Sequence, residues 1–273
     1  MSDAPLLHPT ALVSPDARLA PDVRVGPFAV IDGPVELGAG CVVRGHAQLL
    51  GRVTAGPGND FGPGCVIGDR PQHLGYKGED TAVRISEGNC FREHVTVHRA
   101  MPTGAGETVI GSHNLFMCGA HVAHDCVVGD HSVFVNAAVI GGHSRIGDRV
   151  LLSGHSAVHQ HCRVGRLALI SGMSGASQDI PPFWVIREIN VVCGVNVIGM
   201  RRAGFPPAEI QAVRKAFKLL YLNKLTVAAA VAAMDQQLGH SPAVREVIEF
   251  IRSSKRGVPG PHLYRGDSDL AAA

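Results

Sequence analysis

An apolar residue recurs at every sixth position over most of this chain. The repeat runs without interruption from Leu7 to Ile67 and again from Ile110 to Ile170. Most of these residues are followed, four positions later, by a small side chain. A period of six fits neither an α-helix nor an isolated strand. It is typical of a solenoid of hexapeptides, in which each hexapeptide forms one short strand and one corner.

Three hexapeptides close one triangular coil, so residues 18 apart should stack on neighbouring rungs at a strand spacing of about 4.8 Å. The large apolar residue fills the axis of the coil, and Gly-Pro pairs such as Gly26-Pro27 and Gly62-Pro63 mark its corners. A β-sandwich is the alternative fold. The repeat keeps its phase over eleven consecutive hexapeptides in each long block, which favours a mainly β fold of the parallel β-helix type.

The pattern divides the chain into a β-helix, a small helical domain and a tail. The regular repeat ends at Asp179-Ile180-Pro181-Pro182, and the character of the chain changes again from Pro206. Helices are predicted from Pro207, over 225–238 and over 243–253. Two Gly-rich or irregular stretches interrupt the β-helix as loops. The predicted boundaries are residues 1–199 for the β-helix domain, 68–84 and 98–109 for its loops, 200–257 for the helical cap and 258–273 for a loose tail.

Composition narrows the function classes. The chain has 273 residues, 45% of them apolar, and a net charge of +2, which is too small to indicate nucleic-acid binding. Seven cysteines form no CxxC pair, and Cys41, Cys65, Cys126 and Cys162 occupy the small-residue place of the repeat, as packing residues would. We find no apolar stretch long enough for stable membrane insertion and no signal-peptide pattern, and therefore expect a cytoplasmic protein. Flat parallel faces favour a homotrimer with its sites in grooves between subunits.

Histidines cluster in the second half of the repeat. His124 is the third residue of its hexapeptide, and Gly142 and Gln160 follow 18 and 36 residues later, so the three should stack. An imidazole beside a free backbone N–H could accept a proton from a hydroxyl nucleophile while the N–H binds an oxyanion. Asp125 is positioned to orient the ring of His124. Acyl transfer with a histidine base is therefore the favoured chemistry.

A metal site is the competing interpretation of these histidines. His121 with His124, or His159 with His161, could supply zinc ligands, but neither pair has a standard ligand spacing. We therefore predict no metal. A scaffold role or a metal-dependent hydratase stays open as an alternative at this point.

Specific strings resemble those of the UDP-N-acetylglucosamine 3-O-acyltransferases, which open lipid A synthesis. The resemblance covers nearly the whole chain, helical cap included. The strings are Ile67-Gly68, Pro71-Gln72 through Gly78-Glu79, Phe91-Arg92-Glu93, Val95 to Arg99, Ala120 to Cys126, Gly141-Gly142-His143, Ala157 to Gln160, Gly175 with Gln178 to Pro182, and Gly194 to Phe205.

This resemblance implies a left-handed parallel β-helix assembled as a trimer. It implies that His124 is the general base for the sugar 3-hydroxyl, which attacks the 3-hydroxyacyl thioester on the phosphopantetheine of acyl carrier protein, with no other cofactor. Gly142 is implied as the oxyanion donor and Gly172 as the residue that limits acyl length. Residues implied to bind substrate are Gln72, His73, Tyr76, Lys77, His121, His143, His159, Gln160, Asn196, Arg201 and Arg202, the last three at the nucleotide.

The chain departs from the family pattern in one loop. His73 and Gly75 replace an Asp and a Lys that contact the sugar in the usual Gln-Asp-Leu-Lys-Tyr string. Transfer to another nucleotide sugar, such as the 3-amino analogue, is therefore the second hypothesis. On charge alone, Arg163, Arg166 and Arg187 are candidates for docking the acidic carrier protein.

Overall fold

Short parallel strands wind into a three-sided β-helix. The computed structural model describes residues 6–264. Leu7 pairs with Val25, and Val25 pairs with Val43, so the rungs are 18 residues apart. The coil of three hexapeptides predicted from the sequence is confirmed.

Each side of the prism is one sheet. Sheet A contains β1 (Leu6–Leu7), β4 (Arg24–Val25), β7 (Val42–Val43), β10 (Asp60–Phe61), β13 (Cys90–Phe91), β16 (Leu115–Phe116), β19 (Val133–Phe134), β22 (Leu151–Leu152), β25 (Leu169–Ile170), β27 (Trp184–Arg187) and β28 (Val191–Val195). Sheet B contains β2 (Leu12–Val13), β5 (Val30–Asp32), β8 (Gln48–Leu50), β11 (Val66–Asp69), β14 (Thr96–His98), β17 (His121–Val122), β20 (Val139–Ile140), β23 (Ala157–Val158) and β26 (Gly175–Ala176). Sheet C contains β3 (Arg18–Leu19), β6 (Val35–Leu37), β9 (Arg52–Ala55), β12 (Ala82–Ile85), β15 (Glu107–Ile110), β18 (Val127–Val128), β21 (Arg145–Ile146) and β24 (Arg163–Val164).

The sixfold apolar residues fill the axis of the prism. Phe61, Phe91, Phe116 and Phe134 are fully buried and stack with ring centroids 4.6–5.3 Å apart. The four cysteines at the small-residue place are buried and free, as predicted. Burial of a continuous apolar column is the main source of stability in such a solenoid.

Both loops leave the β-helix at one corner, between sheets B and C. Strands β11 and β12 extend into the stretches predicted as loops, which leaves 70–81 for the first loop. Strands β14 and β15 likewise reduce the second loop to 99–106. The predicted loops are therefore present but shorter, because their ends continue the ladders of the neighbouring coils.

The helical part begins earlier than the sequence pattern indicates. Its helices are α1 (Val197–Arg202), α2 (Pro207–Tyr221), α3 (Val227–Leu238) and α4 (Pro242–Arg252), followed by a 3₁₀ turn at Pro261–Leu263. The three predicted helices match α2, α3 and α4 to within two residues at the ends. Neither α1 nor the antiparallel pairing of β27 with β28 was predicted.

Residues 258–264 do not form a loose tail. Val258 is buried, and the Tyr221 hydroxyl donates to the Pro259 carbonyl at 3.1 Å. The Tyr264 ring lies 5.6 Å from Phe217. These residues pack because the apolar face of α2 needs a cover. The remainder of the predicted tail, 265–273, lies outside the described residues.

Two arginines join the cap to the β-helix. Arg163 donates to the Ser253 carbonyl at 3.1 Å and lies over the Phe250 ring at 4.2 Å. Arg166 forms an ion pair of 2.6 Å with Glu246. Both residues are candidates for carrier-protein docking on charge alone, and in the structure each also contacts the cap. Within residues 6–264, the longest helix has 15 residues, and none has the length and apolar character needed to cross a bilayer.

Candidate active site

Most of the predicted site residues converge at the corner between sheets B and C, which we call the BC corner. Successive coils place His124, Gly142 and Gln160 at the same position of three stacked turns. The rungs are joined by backbone hydrogen bonds from His143 N–H to the His124 carbonyl, 3.0 Å, and from His161 N–H to the Gly142 carbonyl, 2.9 Å. The stacking predicted from the 18-residue period is confirmed.

The turn geometry leaves the Gly142 N–H free. In these turns the next residue, such as His143 at φ 61°, adopts the left-handed conformation. Elsewhere in the β-helix the position of Gly142 is filled by proline, for example Pro27 and Pro63, because no ladder bond needs an N–H there. Within the part of the chain that the structure describes, the Gly142 N–H has no hydrogen-bond partner. It is available to an oxyanion.

His124 and Asp125 form a buried pair. The Nδ1 atom of His124 lies 2.7 Å from Oδ2 of Asp125, and the two side chains are 10% and 4% exposed. A carboxylate at Nδ1 selects the tautomer that carries its proton there and leaves Nε2 as an acceptor. This is the arrangement that a general base requires.

The second loop closes over the carboxylate. The Met101 N–H donates to Asp125 Oδ2 at 2.9 Å, and Thr108 Oγ1 accepts from the Asp125 N–H at 2.9 Å. A Cβ atom on Gly104 would overlap Asp125 Oδ1. Only glycine therefore lets the loop lie this close to the carboxylate. The Gly-rich composition predicts the loop, whereas no sequence pattern predicts its contact with Asp125.

The first loop brings His73 to the base. Its ring lies edge-on to His124 with centroids 5.6 Å apart, and its Nδ1 accepts the Gly75 N–H at 3.0 Å. The Tyr76 hydroxyl donates to the Glu79 carbonyl at 2.6 Å. His73 thus faces the site directly, whereas Tyr76 holds the loop.

Two further residues of the first loop were predicted to bind substrate. Gln72 and Lys77 are both exposed on the loop. The Lys77 backbone N–H donates to Glu79 Oε2 at 2.8 Å, and this bond fixes the backbone rather than the ammonium group. Their side chains are free to reach a ligand.

His121 lies on β17, next to a histidine that the sequence analysis did not select. Its Nδ1 is 2.7 Å from Thr96 Oγ1, and the His98 ring packs edge-on at 5.0 Å. Burial, together with the neighbouring imidazoles, lowers the pKa of His121 to about 4. Burial also lowers the pKa of His98. Both rings are therefore neutral near pH 7. His98 could have been found from the sequence, because the repeat places Val97-His98 at the end of the strand that pairs with the strand of His121.

His143 is the third imidazole close to the His124–Asp125 pair. Its Nε2 lies 3.8 Å from Asp125 Oδ2, and its ring stacks on His161 with centroids 4.5 Å apart. Burial lowers the pKa of His143, against the opposing effect of the Asp125 carboxylate. His159 and Gln160 are exposed on the coil above, and His159 Nδ1 lies 3.5 Å from Arg256.

Four predicted residues lie elsewhere in the chain. Gly172 is exposed at the corner between sheets A and B. Asn196 caps α1 by accepting the Gly199 N–H at 2.8 Å, and its amide donates to the Leu167 carbonyl at 2.8 Å. Arg201 and Arg202 are exposed in the last turn of α1. No contact among residues 6–264 joins any of these four to His124.

One group of side chains has the geometry of a metal site. His124, Asp125 and His143 offer ligand atoms within 4.8 Å of one another. This set differs from the histidine pairs considered from the sequence. In the structure, Nδ1 of His124 pairs with the Asp125 carboxylate at 2.7 Å, so two of the three groups are already bonded to each other. The absence of a metal stays a prediction.

Comparison with known proteins identifies the family. A family model described as "Udp N-acetylglucosamine O-acyltransferase; Domain 2" matches residues 179–259. An acyl-[acyl-carrier-protein]--UDP-N-acetylglucosamine O-acyltransferase of Thermodesulfovibrio yellowstonii is 38% identical over 92% of this chain and 98% of its own length. The chain belongs to this O-acyltransferase family. The family member of Aquifex aeolicus is 57% identical over 73% of this chain and 77% of its own length.

Solved structures of the family have the same fold. LpxA, a UDP-N-acetylglucosamine acyltransferase from Bacteroides fragilis, superposes with a TM-score of 0.90 at 35% identity, over 92% of this chain and 98% of that chain. LpxA from Acinetobacter baumannii gives a TM-score of 0.88 at 36% identity, over 93% of this chain and 99% of that chain. The family resemblance stated from the strings is confirmed, and the chain is an acyltransferase.

Proposed function

We propose that this chain transfers a 3-hydroxyacyl group from acyl carrier protein to the 3-hydroxyl of UDP-N-acetylglucosamine, the first step of lipid A synthesis. The names of its relatives support the donor and the acceptor. The single observation that carries the mechanism is the buried His124–Asp125 pair beside the free N–H of Gly142. Because the relatives are named O-acyltransferases, a hydroxyl acceptor is preferred to the 3-amino analogue.

The reaction follows from the atoms at the BC corner. Nε2 of His124 accepts the proton of the sugar hydroxyl as its oxygen attacks the thioester carbonyl carbon. The carbonyl oxygen becomes an oxyanion, which accepts the Gly142 N–H. The intermediate then releases the thiolate of phosphopantetheine, which receives the proton from His124. The Asp125 carboxylate stabilises the imidazolium that forms between these two steps.

The surrounding polar groups bind the sugar. His73 and His143 border the base, and His121 lies close enough to interact with it electrostatically. All three present nitrogen atoms to hydroxyl and amide groups of an acceptor. His159, Gln160, Gln72 and Lys77 extend this set of polar groups, and Tyr76 fixes the loop that carries two of them. No cofactor is needed beyond the thioester arm of the donor, since the proton transfers and the charge stabilisation are supplied by the protein.

We also propose a homotrimer with its sites between subunits. Asn196, Arg201 and Arg202 have no contact with His124 in one chain, so a neighbouring subunit would have to bring them to the nucleotide. Gly172 would lie along the acyl chain in the same groove. A Cβ atom there would meet only a carbonyl oxygen at 3.5 Å, so the groove is open to a long chain. The protein is expected to act in the cytoplasm, where acyl carrier protein is available.

A mass-spectrometric assay tests this function. The purified protein is given UDP-N-acetylglucosamine and, separately, 3-hydroxyacyl carrier proteins of different chain lengths. The expected product is heavier than the acceptor by one hydroxyacyl group for at least one length. Absence of product with every donor, from a correctly folded protein, would contradict the proposal.

A further inference from the structure

A pocket lies beside the catalytic corner, one imidazole away from His124. It has a volume of about 390 Å³. Its lining includes four cationic side chains and two imidazoles, which we call the cationic pocket: Arg145, Arg163, Lys255, Arg256, His143 and His161. The residues come from two strands of sheet C, two turns of the BC corner and the segment after α4.

The positive charge of this pocket is only partly compensated, because four cationic side chains share one carboxylate in the lining. Arg145 and Arg163 are direct partners in the parallel register of β21 and β24, and like charges on neighbouring strands repel. The carboxylate in the lining, Asp179, is 1% exposed and already accepts the Arg163 N–H and the Ser254 hydroxyl, each at 2.8 Å. The lining therefore keeps a net positive charge, which an anionic ligand would neutralise.

Two of the cations have no other role in the fold. The side chains of Arg145 and Lys255 make no hydrogen bond or ion pair with any residue between 6 and 264. Arg163 instead binds the cap, and Arg256 donates to the Ser177 carbonyl at 3.3 Å. The pocket thus combines two guanidinium groups held by the fold with one free guanidinium and one free ammonium group.

His143 belongs to both the cationic pocket and the catalytic corner. It packs edge-on against His124 with centroids 5.2 Å apart and stacks on His161 at 4.5 Å. A ligand in the pocket would therefore be one imidazole away from the base. An anionic group of a reacting molecule is the natural occupant of such a place.

We propose that the cationic pocket binds a phosphate group of one of the two substrates. This rests on the proposed function, in which the acceptor carries a diphosphate and the donor arm a phosphodiester. Arginine and lysine form charge-assisted hydrogen bonds with both. The residues are different from Asn196, Arg201 and Arg202, which were expected at the nucleotide. The diphosphate is bonded to the same sugar ring as the reacting hydroxyl, so it lies nearer the base than the phosphodiester of an extended arm.

The test uses Lys255→Gln and Arg145→Gln, because neither side chain supports the fold. Arg18→Gln is the matched control, since it removes an exposed guanidinium from the same sheet at its opposite end. Calorimetry measures the binding of UDP-N-acetylglucosamine and, separately, of a 3-hydroxyacyl thioester of phosphopantetheine without its carrier protein. Each pocket variant is expected to bind one of the two roughly tenfold more weakly, as for loss of one charge-assisted contact.

The outcomes separate the two sources and the two proposals. Weakening confined to the nucleotide sugar would assign its diphosphate to the pocket, and weakening confined to the thioester would assign the phosphate of the phosphopantetheine arm. Binding of both within twofold of wild type, or equal weakening in Arg18→Gln, would overturn the proposal. Failure of the proposed function would appear instead as absence of product from the wild-type protein, while the binding measurements would still report on the pocket.

Discussion

The β-helix uses the same turn at two corners for different purposes. At the BC corner, His143 and His161 occupy left-handed positions of successive turns, with rings 4.5 Å apart. At the corner between sheets C and A, which we call the CA corner, His113 and His131 occupy the same positions and stack at 5.1 Å. The backbone is alike, so the histidine stack by itself indicates no function.

The neighbours of the two stacks differ. At the CA corner, His113 faces Glu87 at 3.7 Å, and both side chains are half exposed. At the BC corner, the carboxylate of Asp125 is buried under the second loop and bonded to His124. Burial makes the electrostatic interaction strong and excludes water. Function in this fold therefore depends on the coil at which a loop is inserted and a carboxylate is buried.

The largest expected difference between the corners comes from removing the base. His124→Ala should lower kcat by about 10²- to 10⁴-fold, the usual contribution of a general base. His131→Ala at the CA corner should leave kcat within twofold, since Ala137 adopts the same conformation at φ 55° in another turn. Steady-state kinetics at saturating substrates measure both. A similar loss in both variants would show that the corners are not distinct.

The carboxylate should have the next largest effect. Asp125→Asn keeps the shape but removes the charge that stabilises the imidazolium, so kcat should fall by roughly 10²-fold. Asp130→Asn is the control at the CA corner, where Asp130 accepts the Ser112 N–H at 2.6 Å. Circular dichroism establishes that both variants fold. An Asp125→Asn variant with wild-type kcat would remove the carboxylate from the mechanism.

A methyl group on Gly142 should have a smaller effect. Its Cβ would lie 2.7 Å from Cε1 of His124, so the base must move, and kcat should fall roughly tenfold. Gly154→Ala is matched to it, because Gly154 occupies the same place in a turn at another corner and its Cβ would meet nothing closer than 3.6 Å. Activity of Gly142→Ala equal to that of Gly154→Ala would contradict the close packing.

The smallest expected effect is on the free energy of unfolding at low pH and comes from His121. The folded pKa of His121, about 4, lies below the unfolded value of about 6.5, so its contribution is present above pH 6.5 and is lost as the pH falls towards 4. After allowance for partial exposure, the loss is about 2 kcal/mol. Urea unfolding at pH 7 and pH 4 should show a smaller difference for His121→Gln than for wild type. The exposed His240→Gln should behave like wild type.

The repeat made the β-helix predictable because every coil obeys the same packing rule. Leu7 and Ile170 belong to one periodic column, in which Ile170 is fully buried and Leu7, at the open end, is about half exposed. The period alone predicts that His124, Gly142 and Gln160 stack on successive rungs. The His124–Asp125 pair was predictable for the same reason, since adjacent residues of one turn cannot separate.

Contacts made by the irregular segments were not predictable. The close approach of Gly104 to Asp125 and the ring contact of His73 with His124 depend on loop conformations that follow no sequence period. Helix α1 has only six residues and depends on its Asn196 cap and on tertiary packing, so no apolar stripe reveals it. The packing of Tyr264 on α2 was not predictable for a similar reason, because a single aromatic residue in a polar segment forms no pattern.

The most direct test of the central claim compares two acceptors in one variant. The claim is that His124 removes the proton of a hydroxyl nucleophile. An amine is the stronger nucleophile and depends less on a base. The ratio of kcat/KM between wild type and His124→Ala should therefore be much larger with UDP-N-acetylglucosamine than with its 3-amino analogue. An equal ratio for both acceptors would contradict general-base catalysis by His124.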